Sequence, residues 1–69
     1  MTDHGPIYPD VSVRLVGTDG NALAIVSKVA TALRRAGVPT DRVRDFKTEA
    51  LASDYNHVLG TCMRWVDVS

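Results

Sequence analysis

Residues 17–38, GTDGNALAIVSKVATALRRAGV, decide how the rest of the chain is arranged. They read as a turn, an amphipathic helix and a glycine stop. Thr18-Asp19-Gly20-Asn21 collects turn formers: glycine takes positive φ freely, and Asp and Asn bond to their own local backbone. Asn21 or Asp19 can cap the helix by accepting from an orphan N–H of its first turn. Ala22, Ile25, Val26, Val29, Ala32, Leu33 and Ala36 then recur at three- and four-residue spacing, the period of one helix face. Ser27, Lys28, Thr31, Arg34 and Arg35 fall on the other side. Arg34 and Arg35 lie in the last turn, where cations favour the negative end of the helix dipole. Gly37 permits a left-handed closing residue, and Pro39 forbids continuation.

The glycines before this helix raise the question of an anion cradle. A dinucleotide fingerprint needs G-x-G-x-x-G, and a phosphate loop needs a Gly-Lys-Ser/Thr ending. Neither is present, and Asp19 would repel an anion. An ordinary strand-to-helix turn is the better reading.

Working outward, Val11 to Val16 alternates apolar and polar residues until Val16 and is rich in β-branched side chains. That predicts a half-buried strand with Val11, Val13 and Leu15 inward. Residues 1–10 hold Gly5, Pro6 and Pro9 and read as a flexible N-terminal arm, with Ile7 and Tyr8 able to pin its end. Towards the C-terminus, Thr40 is expected to cap a second helix with Val43, Phe46, Ala50 and Leu51 on its inner face. Ser53 or Asp54 opens a third segment, in which Tyr55, Val58, Leu59, Cys62 and Val66 keep helical spacing and Met63 sits beside them. Gly60 weakens that helix by ~1 kcal/mol relative to Ala, which suggests a close approach of another backbone. Trp65 to Val68 alternates again and leaves room for a short C-terminal strand beside Val11 to Val16.

The expectation is a single small α+β domain over residues 11–69: one N-terminal strand, three helices and room for the closing strand. Its core is expected to contain Val13, Leu15, Ile25, Val29, Leu33, Phe46, Leu59 and Cys62. Sixty-nine residues make one domain, and a chain this short buries a modest fraction of its surface. Association is therefore a reasonable way to complete the core.

The combination of a strand with GNAL, LRRAGV, EA and DYNHVL ahead of MRWV resembles a small family of uncharacterised bacterial proteins associated with actinobacteria, plasmids and phages. The resemblance runs from Val11 to Val68. It implies a compact stand-alone domain of a mobile element, and it implies no activity and no site residues.

Composition narrows the function classes. Hydrophobic residues are 45% of the chain, which suits a globular protein. Formal net charge is zero, so no whole-molecule field directs it to nucleic acid or a membrane. One cysteine rules out an internal disulfide and suits a reducing compartment. The absence of a long apolar run or a secretion-type N-terminus leads to an expected cytoplasmic location.

Asp54, Tyr55 and His57 come nearest to a catalytic cluster, since a carboxylate can orient a histidine base. A nucleophile is missing: Cys62 lies about 500° around a helix from His57 and falls in the apolar stripe. No pair drawn from His4, His57 and Cys62 has zinc-ligand spacing. No enzyme, cofactor or metal is therefore expected.

Charge placement is more informative. Lys28, Arg34, Arg35, Arg42, Arg44 and Lys47 are six of the eight basic residues, and only Asp41 and Asp45 offset them in that interval. The same interval scans as a helix-turn-helix with Gly37 in the turn. The second helix would carry Arg42, Arg44 and Lys47 to nucleic acid, with Arg34 and Arg35 beside them. Asp41, Asp45 and Glu49 on that helix weaken the idea, and a solvated face is the plainer reading.

The favoured expectation is a non-enzymatic protein-interaction module that self-associates or binds a partner protein. Tyr8, Val16, Trp65 and Val68 would form an apolar patch joining two copies into a two-fold homodimer. Nucleic-acid binding through the basic helix pair is the alternative.

Overall fold

The computed structural model describes residues 5–15 and 21–68. Strand β1 (Tyr8–Val13) is followed by helices α1 (Ala22–Arg35), α2 (Thr40–Ala50) and α3 (Tyr55–Trp65), and strand β2 (Val66–Val68) closes the fold. This is the α+β arrangement expected, including the short closing strand. β1 and β2 pair in parallel as a two-stranded sheet. A parallel pair needs a long crossover, and here all three helices supply it.

The strand begins earlier than its sequence pattern suggests. It takes in Tyr8, Pro9 and Asp10, which composition assigned to the arm, and ends at Val13 rather than Val16. Pairing sets these limits: Tyr8 faces Val66, Ser12 faces Asp67 and Val13 faces Val68. The Ile7 N–H also donates to the Arg64 carbonyl at 2.9 Å. From Tyr8 to Ser12 β1 advances by four positions while β2 advances by one, and Pro9, Asp10 and Val11 fall in that irregularity. A residue without an N–H is tolerated at such a place because no regular rung is lost. Val16, the turn residues Thr18 to Gly20 and His4 lie outside the described residues.

Helix α1 is bounded as its residues predict. Asn21 caps it, its Oδ1 accepting from the Leu23 N–H at 2.8 Å. At the other end Gly37 has φ +90°. The Val38 N–H donates to the Leu33 carbonyl and the Gly37 N–H to that of Arg34, the paired closure of a Schellman motif. The N-cap of α2 lies one residue before the expected one: it is Pro39, with no side-chain bond, and Thr40 is already helical. The Arg42 and Val43 N–H groups donate to the Pro39 carbonyl. Asp54 caps α3, its Oδ1 accepting from the His57 N–H at 3.0 Å.

The core lies between the sheet and the three helices. Val13, Ile25, Val29, Leu33, Phe46 and Cys62 are buried as expected, while Leu15 and Leu59 are only partly buried against it. Val26, Ala30, Val43, Val58, Trp65 and Val66 complete the centre. Leu51 and Tyr55 are exposed, because the chain leaves α2 at Leu51 and turns before α3 begins. Gly60 is also exposed, and a Cβ placed there would meet nothing within 4 Å. Among the described residues no other backbone comes that close, contrary to the expected close approach.

Candidate interaction surfaces

Trp65 is the hub of the aromatic packing. The Tyr8 ring stacks on it at 5.9 Å between centroids, and Phe46 meets it edge-on at 5.6 Å. Arg42 lies over the same indole with Cζ 4.9 Å from the centroid, and its Nη1 pairs with Asp45 Oδ2 at 3.2 Å. The neighbouring Tyr8 hydroxyl raises the Arg42 pKa most, desolvation pulls the other way, and Asp45 adds a smaller rise. This cluster ties β1, α2 and α3 together. It also corrects the expected self-association patch, because Trp65 is 2% exposed and belongs to the core. Tyr8 and Val68 are half-buried against that core. Met63, at 64%, is the most exposed large apolar residue of α3 instead.

The five basic residues expected at nucleic acid do not all line one recess. Arg34, Arg44 and Lys47, with Thr40 and Val43, line a recess of about 400 Å³ at the α1–α2 corner. Arg35 faces a different groove. Arg42 is held against Trp65 and Asp45. Sequence spacing could not separate these, because consecutive Arg34 and Arg35 lie 100° apart on a helix.

The groove that takes Arg35 runs between β1 and α1 and measures about 710 Å³. Residues 10–14 form one wall; Lys28, Thr31, Ala32, Arg35 and Ala36 form the other. Five consecutive residues line it, not every second one, as a strand edge presents them and a strand face does not. On the other edge β1 is occupied by β2. Ala36 is exposed and Ala32 half-buried, so the C-terminal part of the α1 apolar stripe faces this groove. The sequence signal was the alternation of Asp10, Ser12 and Arg14 with buried Val11 and Val13, obscured by assigning Asp10 to an arm.

The residues around His57 do structural work. Its Nε2 lies 2.8 Å from the Glu49 carbonyl at the end of α2, and Arg64 pairs with Glu49. Cys62 is buried elsewhere, its thiol pushed up to about 11 by desolvation. Among the described residues no group of three His, Cys, Asp or Glu side chains could hold a metal ion, and no helix is long and apolar enough to cross a membrane. No protein-family model, curated protein or solved structure matches the chain.

Proposed function

We propose that this protein is a non-enzymatic interaction module of the cytoplasm that docks partners along β1. The observation that carries the reading is the groove beside residues 10–14, where a strand edge lies open opposite Lys28, Thr31, Ala32, Arg35 and Ala36. Open edges are templates for adding a strand, and backbone hydrogen bonds then supply affinity while side chains supply selectivity. The resemblance to plasmid- and phage-associated proteins favours an accessory role for a mobile element. A pull-down from host lysate tests the module reading. Ser12 is exposed and lines the groove, its hydroxyl donating to Asp67 Oδ2 of β2 at 3.4 Å, and Ser12→Lys places a charge there without touching the core. Protein bands that survive nuclease and vanish with Ser12→Lys support docking along β1; bands indifferent to it refute it.

A second reading, nucleic-acid binding, is favoured by the recess where Arg34, Arg44 and Lys47 converge. These three would contact phosphates, and binding would weaken steeply with salt. Loss of captured material on nuclease treatment, together with loss on Arg44→Glu, is the outcome that favours it.

A further inference from the structure

We infer that the partner at the β1 groove is a second copy of this chain, its β1 paired antiparallel about a two-fold axis at Ser12. The inference rests on the reading of β1 as a docking edge. In the segment Asp10-Val11-Ser12-Val13-Arg14, the first, third and fifth residues are exposed and the two valines are buried. Turned about Ser12, the segment matches itself. Asp10 falls opposite Arg14 of the other copy, Arg14 opposite its Asp10, and Ser12 opposite Ser12.

Directly opposed side chains in an antiparallel pair have Cβ atoms about 4.5–5.5 Å apart, within reach of an ion pair. The pairing therefore makes two such contacts and leaves neither charge facing its like. Arg14 and Asp10 have no ion-pair partner within their own chain among the described residues. Pro9 ends the run on one side because it has no N–H to give to a ladder. The result is a four-stranded sheet in the order β2-β1-β1-β2, with five opposed residue pairs at its centre and the helices of both copies on one face. Sheets of three or more strands reach the stability that an isolated pair lacks. The rival occupant is an extended acidic peptide, drawn by Lys28 and Arg35 on the far wall. Asp10 argues against it, because an acidic peptide would meet that carboxylate in the same groove.

The test is sedimentation of the full chain and its variants. The wild type should be a dimer at micromolar concentration. Asp10→Arg and Arg14→Asp each create two like-charge pairs, and each should raise the dissociation constant at least ~10-fold while leaving the circular dichroism unchanged. Mixed one to one, the two variants should form a heterodimer, and the double variant D10R/R14D should recover the homodimer. A wild-type monomer at ~100 μM overturns the inference. So does a dimer that both single variants leave intact. In that second case Ser12→Lys separates the two ideas: loss of the dimer keeps β1 as the docking edge and removes this register, and persistence removes both. A monomer that binds a glutamate-rich peptide, with binding blocked by Ser12→Lys, keeps the docking edge and replaces the second copy.

Discussion

The guanidinium of Arg42 covers the indole of Trp65, with Cζ 4.9 Å from the ring centroid. A cation over a tryptophan face is drawn to the ring quadrupole. Arg42→Ala should therefore open the single tryptophan to solvent. Acrylamide quenching should increase, emission should shift to the red, and the urea midpoint should fall. Arg44→Ala, which removes a charge from the α1–α2 recess, should change none of these. Equal effects from the two substitutions would show that net charge, not the contact with Trp65, is responsible.

Phe46 is fully buried and meets Trp65 edge-on. Phe46→Ala removes a fully buried side chain between α2 and Trp65 of α3 and should cost about 3–5 kcal/mol. A chain of this size has about 3–10 kcal/mol in total, so the variant should be largely unfolded at 37 °C. Phe46→Leu keeps most of the volume and should retain a cooperative melt, losing ~1–2 kcal/mol. Calorimetry or urea titration of the two separates volume loss from loss of the aromatic contact.

These positions show where sequence reasoning succeeds. The helix face of Ile25, Val29 and Leu33 follows from local spacing alone, and so do Asn21 and Gly37 at its ends. The start of β1 does not, because Tyr8 is held by Trp65 and Val66 from the far end of the chain. Trp65 looked available as an anchor because its burial depends on Tyr8, Arg42 and Phe46 arriving from three different elements. The basic cluster looked continuous because residue counting ignores which way each helix turns its arginines. The groove beside β1 was only partly legible, since it requires α1 to lie alongside one strand edge while β2 takes the other.

Cys62 should behave as a buried thiol. Its pKa is raised from about 9 to about 11, so the folded chain keeps a proton that the unfolded chain gives up. The stability this contributes is intact below about 9 and is lost as pH rises from about 9 through about 11. The slope is at most ~1.4 kcal/mol per pH unit. Cys62→Ala removes the group, so the wild type should lose stability more steeply than the variant over that interval. Under native conditions an aromatic disulfide reagent should react with the thiol only as fast as the protein opens. Rapid stoichiometric labelling at neutral pH would contradict its placement in the core.

Gly60 offers a stabilising change. A Cβ at this exposed helical position meets no neighbour, and alanine is favoured over glycine inside a helix by ~1 kcal/mol. Gly60→Ala should raise stability by up to that amount without altering association along β1. A destabilised variant would mean that the helix surface near Met63 is covered in the assembled protein.

The parallel pairing of the first and last strands has a mechanical consequence. β1 enters the clasp near one end of the chain and β2 leaves it near the other, both running in the same direction. Tension applied across the two ends drags the strands past each other lengthwise, so every rung of the clasp bears load together instead of opening one at a time. The helices between them feel no pull until the whole clasp gives way. Under force, the weakest-looking element, a three-residue strand, thus becomes the latch for the entire fold.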